Sequence, residues 1–307
     1  MIGLIPFISG ARMEVQPPER YLSKMVVDSV TVVVPHYNRP DFVREALLSI
    51  RNQTVEPTEV LLVDDNSKPE NLDKLRGLSS LATIISTPRN VGLAGTRNFG
   101  AQHAKGEWIA FLDDDDCFLP DKQERQIRYL EDHPQVMALG GGAKMVTPEG
   151  REEYWGGKIT RRLTLEDALY YTASMAPGLM IRRNVFMELG GFDSRLRYLE
   201  DYEFGIRLLD SGHETHFLGE PLFVYHRGGR EQLSLQWGKM FRAEMRILDM
   251  HADLARTEFG PLGAIRLKAR CYKKYGIQRG RLVGRSVWAW GCVLEAIYGR
   301  LRGEYDE

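Results

Sequence analysis

The sequence predicts an α/β fold, in which a mostly parallel central sheet is flanked by helices and followed by a helical C-terminal region. Two observations predict it. From Val30 onward, short apolar and β-branched runs alternate with amphipathic stretches, and past Ser234 the pattern is helical throughout. Alternating strands and helices imply parallel strands joined by right-handed crossovers. Ligands of such sheets bind beyond the carboxyl ends of the strands, so a functional site is expected at that edge.

Seven elements are predicted in the first half of the chain. They are strands at 30–35, 60–63, 82–86 and 108–112, and helices at 39–53, from about 69, and at 94–104. After about residue 134 the alternation becomes irregular, as expected for a mixed sheet. The chain is therefore divided into an irregular lead-in, an α/β domain with two halves, and a helical region, at 1–28, 29–235 (29–133 and 134–235) and 236–307.

Composition narrows the class of protein. The chain has 307 residues, 43% hydrophobic and 27% charged, which is ordinary for a soluble globular protein. Its three cysteines are widely spaced and include no CxxC pair, so neither a disulfide framework nor a zinc site is expected. No apolar run reaches the roughly 18 to 20 residues of a transmembrane helix. These features predict a cytoplasmic protein.

Four consecutive aspartates, Asp113 to Asp116, follow the apolar run WIAFL. A solvated acidic turn is the simplest interpretation. However, four carboxylates at the end of a buried strand repel one another, and a divalent cation would relieve that repulsion. Oxygen ligands suit Mg²⁺ or Mn²⁺, which also bind substrate phosphates. The position of these residues therefore favours a metal site.

Two other acidic pairs are candidates for chemistry. Asp64-Asp65 ends the second strand, where a carboxylate could cap a helix or form an Asx turn. It could instead accept a hydrogen bond from the imide N–H of uracil, thymine or guanine. Glu200-Asp201 could be an acidic first helical turn favoured by the helix dipole, or could supply a general base that reaches an acceptor hydroxyl.

Six dispersed motifs occur together. They read VVVPHYNRPDFVREALLSIRNQT, LLVDDNS, NVGLAGTRN, GEWIAFLDDDD, LGGFD and LEDYEFGIRL. In this order and rough spacing they resemble family-2 glycosyltransferases over about residues 30–235. The resemblance implies a GT-A, Rossmann-like fold with a nucleotide-binding half and an acceptor half. It also implies inverting transfer of a sugar from a nucleotide diphosphate donor to a hydroxyl acceptor, in polysaccharide or glycolipid synthesis.

The resemblance also implies roles for residues of the donor site. Asp65 matches the position that meets the base, which favours UDP- or dTDP-sugars, and Pro35 and Tyr37 match the wall around it. Asp113 and Asp114 belong to the match with the DxD motif, in which the first Asp approaches the nucleotide ribose. A donor pocket is therefore expected to include these five residues.

Metal-binding and catalytic roles are carried over in the same way. The resemblance implies that Asp115, together with Asp113, binds Mn²⁺ or Mg²⁺, and that Asp201 is the catalytic base. The loop FVYHRGGREQLS resembles one that closes over the donor, where His226 can ligate the metal and Arg230 meets the diphosphate. In NVGLAGTRN, Asn98 is expected to brace the strand ends rather than to react.

Three other functions are less consistent with the sequence. A nucleotidyltransferase usually has a Gly-rich basic loop after the first strand, where this chain has PHYNRPD. A glycoside hydrolase needs two opposed carboxylates and no nucleotide site. A sugar-nucleotide-binding protein without catalysis would not need Asp201. A glycosyltransferase of hexosyltransferase type is therefore the function that the sequence predicts.

The C-terminal region is strongly basic. From Ala264 to Gly303 there are ten Lys or Arg and one acid, a charge of +9, which leaves −10 for the rest of the chain. A helical apolar stripe follows at Val283, Val287, Trp290, Leu294, Ile297 and Leu301. The stripe and the basic face at Arg266, Arg270, Lys273 and Lys274 could pack on the catalytic domain. Alternatively they could rest peripherally on anionic lipid at the inner face of the membrane. No nucleic acid partner is expected, because aromatic residues are not interleaved with the basic ones.

Overall fold

A computed structural model describes residues 27, 29–156, 158–171, 176–228, 233 and 236–279. Within these residues ten strands form one sheet: β1 Val30–His36, β2 Glu59–Asp64, β3 Thr83–Ser86, β4 Trp108–Phe111, β5 Cys117–Phe118, β6 Ala138–Val146, β7 Glu152–Trp155, β8 Arg161–Arg162, β9 Met180–Arg182 and β10 Thr215–His226. The α-helices are α1 Pro40–Arg51, α2 Pro69–Arg76, α3 Gly92–His103, α4 Lys122–Asp132, α5 Leu165–Tyr171, α6 Arg183–Glu188, α7 Glu200–Asp210, α8 Trp237–Met250, α9 Ala252–Phe259 and α10 Gly263–Arg279.

The first half is the predicted parallel, doubly wound unit. Its strands run in the order β3-β2-β1-β4, and all three pairs are parallel. The central strand β1 is buried on both faces, which explains its continuous β-branched sequence. Helix α1 begins at Pro40, whose fixed φ suits a first helical position, and buries Val43, Ala46, Leu47 and Ile50 on one side. Phe42, expected on that side, is only half-buried.

The second half is mixed, as predicted. Strand β9 pairs antiparallel with β4, β6 pairs antiparallel with β9, and β10 runs parallel to β6. Strand β10 then pairs antiparallel with β5, where Val224 lies opposite Cys117. This pairing brings the end of β10, and with it His226, to the edge where the aspartates follow β4.

Hydrophobic clusters fill both faces of the sheet. On one face, residues of α1 and α4 pack against β1, β2 and β4. On the other, α3, α6 and α7 pack, and four phenylalanine rings lie with centroids 5.1–5.4 Å apart: Phe111, Phe186, Phe192 and Phe204. Each such pair contributes about 0.5–1.5 kcal/mol beyond the area it buries. Helix α7 is therefore packed against the sheet over much of its length.

The helical C-terminal region packs on the α/β domain through a third cluster. This cluster joins α5 and α7 to α8, α9 and α10, with Tyr202, Ile206, Ile247 and Leu267 almost fully buried. No helix of the described ranges is both long and apolar enough to cross a membrane. The predicted apolar stripe at 283–301 lies outside the described residues.

The predicted basic face lies on α10, and most of its side chains contact neighbouring helices. Arg270 and Lys274 donate hydrogen bonds to Glu244 of α8 at 2.7 and 2.8 Å. The Arg266 guanidinium lies over the rings of Tyr170 and Phe259. Residues that would have faced anionic lipid are therefore engaged with neighbouring helices.

Candidate functional site

The predicted site lies at the carboxyl edge of the parallel strands. Asp64 at the end of β2 lies opposite His36 at the end of β1, and Phe111 at the end of β4 lies opposite Val33. The Asp65 N–H donates to the His36 carbonyl at 2.8 Å. Because the three strands end side by side, the polar residues that follow them share one edge.

The four aspartates alternate between buried and accessible positions. Asp114 and Asp116 are 2% and 1% exposed, whereas the side chains of Asp113 and Asp115 are 26% and 11% exposed. The first and third carboxylates are therefore the more accessible of the four, and they accept hydrogen bonds from Arg97 and Arg39 respectively.

Asp114 faces inward. Its Oδ2 lies 2.9 Å from His36 Nδ1, and its Oδ1 accepts a hydrogen bond from Arg39. Arg39 also donates to Asp115 Oδ2 at 3.2 Å. Asp114 thus anchors the turn to β1, and the structure assigns it partners within the protein. His36 and Arg39 were not identified from the sequence, although both lie in the PHYNR motif.

His226 is brought to the aspartates as expected. Its backbone N–H donates to Asp116 Oδ1 at 3.1 Å, and its Nδ1 lies 2.8 Å from the Asp115 carbonyl oxygen. Because a carbonyl oxygen only accepts, Nδ1 must carry the hydrogen, which places the lone pair of a neutral ring on Nε2. That is the tautomer a metal-binding histidine needs. Arg230 lies outside the described residues.

The side chains at this edge are carboxylates and one imidazole, groups that can ligate a divalent cation. Burial raises the pKa of Asp116 well above its ordinary value, and the charges of Asp113 and Asp115 raise it further. Asp116 Oδ2 is buried and has no hydrogen-bond partner in the described part of the chain. Burial and the neighbouring aspartates therefore both disfavour a charge on Asp116. Among the described residues no three metal-ligating side chains converge, so substrate oxygens and water would complete the coordination.

Asp65 has a structural role that the sequence suggested only in general form. Its Oδ1 accepts from the Val91 N–H at 2.8 Å and the Thr87 hydroxyl at 3.0 Å, and its Oδ2 accepts from the Gly92 N–H at 2.9 Å. The carboxylate therefore caps α3, not the helix that directly follows it in sequence. Since a carboxylate offers about four acceptor positions, Oδ2 keeps capacity for one further donor.

Pro35 and Tyr37, the residues predicted to line the base pocket, lie at the end of β1 and directly after it. Pro35 is buried in β1 opposite Val63, and Tyr37 directly after β1 is 47% exposed. The next residue, Asn38, adopts a left-handed conformation with φ 56°. It is held there by hydrogen bonds with Ser67 and Lys68, at 2.8 and 2.9 Å. Tyr37 therefore directly precedes a strained turn and is accessible to solvent.

Arg97 matches the family pattern in NVGLAGTRN, but the sequence assigned it no role. Its Nη1 donates to Glu200 Oε1 at 2.6 Å, and its Nη2 donates to Asp113 Oδ1. Burial lowers its pKa, but the attraction of Asp113, Glu200 and Asp201 outweighs burial, so the pKa is raised. Its position in the NVGLAGTRN motif marked it as a residue of interest. Its role could not be read from the motif, because its partners Asp113 and Glu200 are 16 and 103 positions away in the sequence.

Helix α3 holds Arg97 at this edge. It packs so closely on the sheet that a Cβ added at Gly100 would lie 2.4 Å from Val33 Cγ1. Asn98, next to Arg97, exchanges two hydrogen bonds with the backbone of Phe192 at 2.7 and 2.9 Å. Asn98 therefore braces the loop ahead of α7 and not the strand ends, which corrects the location expected from the sequence.

Asp201 lies in the first turn of α7. It is 8% exposed, and its Oδ1 accepts from the Tyr202 N–H at 2.9 Å. Burial raises the pKa of the adjacent Glu200 to about 7, although Arg97 opposes this. Through Arg97, the acidic turn of α7 and the aspartates after β4 become parts of one charged cluster.

Comparison with known proteins gives a family match and several relatives. The family model described as glycosyl transferase family 2 matches residues 31–190. An uncharacterized glycosyltransferase of Haemophilus influenzae is 34% identical over 63% of this chain and 66% of its own length. The amylovoran biosynthesis glycosyltransferase AmsE of Erwinia amylovora is 26% identical over 75% of this chain and 88% of its own.

A solved structure shows the same fold. Staphylococcus aureus TarS 1–349, crystallised with UDP-GlcNAc, superposes with a TM-score of 0.63 at 17% identity. The superposition covers 86% of this chain and 79% of that one. The mixed sheet and its flanking helices are thus a known architecture.

Proposed function

We propose, from the premise that the chain belongs to glycosyl transferase family 2, that it transfers a sugar from a nucleotide diphosphate donor to a hydroxyl acceptor with inversion. The donor lies over the carboxyl edge of the parallel strands, and the acceptor approaches from the side of α7. The protein's own groups then divide into those that hold the donor and one that accepts a proton.

One observation carries this proposal. Arg97 bridges Asp113 and Glu200, so the aspartates that would face the donor diphosphate and the carboxylate beside Glu200 lie on either side of one buried guanidinium. Inverting transfer requires this juxtaposition, because the acceptor hydroxyl attacks the anomeric carbon on the face opposite the one from which the diphosphate departs. A protein that only bound sugar nucleotides would not need an acidic turn there.

Asp115 and His226 are the residues we assign to the cation, with Asp113 beside them. A bound Mn²⁺ or Mg²⁺ would offset charge that develops on the departing diphosphate. His226 is oriented by the Asp115 carbonyl, so its position depends on the same turn that presents Asp115.

Asp201 is the proposed general base. It lies in the N-terminal turn of α7, next to Glu200, which pairs with Arg97. It takes the acceptor's proton as the hydroxyl oxygen attacks the anomeric carbon. General-base assistance typically contributes about 10²- to 10⁴-fold in rate.

Donor and acceptor classes follow from the pocket and the relatives. The remaining acceptor position on Asp65 Oδ2 suits the imide N–H of uracil or thymine, so UDP- and dTDP-sugars are favoured, with Tyr37 beside the base. The name of the Erwinia amylovora relative supports an acceptor in polysaccharide synthesis, and a glycolipid acceptor is the alternative.

The test is a donor screen that measures release of nucleoside diphosphate in the presence of Mn²⁺. With the best donor, Asp201→Asn should lower transfer at least about a hundredfold while donor affinity stays near wild type. Asp210→Asn is the matched control, because Asp210 is an exposed carboxylate at the other end of α7. Equal rates for the two variants would contradict the assignment of the base.

A further inference from the structure

The turn that carries Asp201 is held by the C-terminal helices. Residues on both sides of it contact α8 and α10, although these helices follow the turn by more than thirty positions. Tyr198 donates its hydroxyl hydrogen to Gln236 Oε1 at 3.0 Å, immediately before α8. This contact fixes the approach to the turn from the N-terminal side.

Leu199 shows that the turn needs such support. It adopts a left-handed conformation, with φ 61° and ψ 28°, directly before Glu200. A residue with a Cβ rarely takes this conformation unless the surrounding packing enforces it. Leu199 packs against the third cluster, the one that α8, α9 and α10 complete. The C-terminal helices therefore help to hold the backbone in the conformation that starts α7 at this point.

Tyr202 fixes the turn from the other side. Its side chain is fully buried in the third cluster, and its hydroxyl donates to the Leu169 carbonyl at 3.3 Å. Burial raises the pKa of Tyr202, and the nearby Arg270 of α10 opposes that rise. Because the Tyr202 N–H is bonded to Asp201 Oδ1, displacement of Tyr202 would displace the carboxylate of Asp201.

Glu244 holds Arg270 in turn. It is fully buried in α8 and accepts from Arg270 at 2.7 Å, Lys274 at 2.8 Å and the Tyr275 hydroxyl at 3.0 Å. Burial raises its pKa, but Lys274 and Arg270 outweigh burial and the pKa is lowered. Glu244 is therefore a charged anchor between α8 and α10, and it holds Arg270 in the neighbourhood of Tyr202.

We infer that Glu244 and Arg270 are positioning residues for transfer, and that α8–α10 form part of the catalytic unit by fixing the turn Tyr198–Tyr202. This inference rests on the proposed function, because it assumes that Asp201 acts as the base. It assigns Glu244, Arg270 and Tyr202 no contact with either substrate. Their removal should therefore change the rate of transfer and leave the donor site intact.

The experiment compares Tyr202→Phe, Glu244→Gln and the control Lys268→Gln in the full chain. Tyr202→Phe removes only the hydroxyl and keeps the buried ring. It therefore still tests the inference if Glu244→Gln does not fold. Lys268→Gln breaks the exposed pair between Lys268 of α10 and Asp249 of α8, which does not reach α7. For each protein, kcat is measured well below the melting temperature, together with the dissociation constant for the donor's nucleoside diphosphate.

We expect Tyr202→Phe and Glu244→Gln to lower kcat by about tenfold or more, since small displacements of reacting groups are costly. Diphosphate affinity should stay within about twofold, and the control should match wild type in both. A lower melting temperature with unchanged kcat would overturn the inference, because the helices would then only add stability. Asp201→Asn is assayed in parallel. If it is inactive while the two variants equal the control, this inference fails and the proposed base stands; if it is active, the proposed base fails.

Discussion

Replacing Arg97 with Met tests the link between the aspartates and the base-bearing helix. Met retains much of the side-chain length but removes the guanidinium, and it leaves Glu200 and Asp113 without their shared cation. Arg97 and Glu200 have side chains only 3% and 6% exposed, so water cannot replace the lost hydrogen bonds without rearrangement.

The magnitude follows from the two contacts. Each charge-assisted hydrogen bond contributes about 1.5–3 kcal/mol, and removing one partner of a buried ion pair costs about 3–5 kcal/mol. For a protein of this size that corresponds to a fall in melting temperature of roughly 10 °C. Removing both partners, in Arg97→Met with Glu200→Gln, should cost less than the sum of the single changes because no buried charge is left unpaired.

The cost should also depend on pH. Burial raises the pKa of Glu200 to about 7, and Arg97 opposes this rise. An acid whose pKa is raised in the folded state loses stability as pH increases from its unfolded pKa to its folded pKa. Without Arg97 the folded pKa is raised further, so this loss continues above pH 7. Below pH 7 wild type and variant lose stability in parallel, so Arg97→Met should be more destabilised relative to wild type at pH 8 than at pH 6 by about 1 kcal/mol in total.

Urea unfolding of the two single variants and the double variant, at pH 6 and pH 8, measures these quantities. Arg76→Met is the control, because Arg76 and Asp73 form a pair that is 74% and 64% exposed, and such pairs contribute at most about 1 kcal/mol. The reasoning is refuted if Arg97→Met is no more destabilised than this control, or if the single changes are additive.

Three further predictions concern other parts of the chain. Lys122 is fully buried and burial lowers its pKa to about 7; below pH 7 the folded state must therefore bury a charge, and Lys122→Met should be more stable than wild type there. This advantage should shrink by about 1.4 kcal/mol per pH unit above pH 7, as urea unfolding at pH 6 and 9 would show. Asp115→Ala should abolish Mn²⁺-dependent binding of a nucleoside diphosphate without unfolding the protein, which calorimetry with and without EDTA measures. The full chain should sediment with anionic vesicles at low salt and be released by roughly 0.5 M NaCl, whereas a variant ending at Arg279 should not sediment.

Each of these predictions has an outcome that contradicts it. Parallel stability–pH curves for Lys122→Met and wild type would mean that the lysine titrates normally in the folded state. Diphosphate affinity of Asp115→Ala equal to wild type in Mn²⁺ would remove Asp115 from the metal site. Failure of the full chain to bind anionic vesicles would leave the C-terminal residues a packing role. The truncation begins after α10 because Arg270 and Lys274 bind Glu244, and an earlier end would disturb the third cluster.

Much of the fold was predictable because the apolar pattern of a short stretch of sequence distinguishes a strand from a helix. The strand at 30–35 is a run of β-branched residues, and the structure extends it only to His36. The helix at 94–104 is found at Gly92–His103. Periodicity over a few residues decides which side of an element is buried, so such elements can be identified without knowing what packs on them.

The site was predictable in its location more than in its contacts. Strand ends in a parallel sheet meet at one edge, so the grouping of Asp65 with the four aspartates follows from strand order alone. Strand order does not predict which aspartates are accessible. Asp114 points inward because it contacts His36 and Arg39, and these contacts form only in the folded protein. Nor could the sequence show that Asp65 caps α3, a helix that begins 27 residues later.

The sequence by itself determined the α/β class, the helical C-terminal region and the edge that carries the acidic residues, since each rests on local patterns of apolar and polar residues. Only the tertiary structure decided that Arg97 joins Asp113 to Glu200, and that the basic residues Arg270 and Lys274 form ion pairs with Glu244. A charged side chain can pair with any opposite charge that packing brings within about 4 Å. Its partner is therefore decided by how distant helices pack, and no local pattern of residues records that.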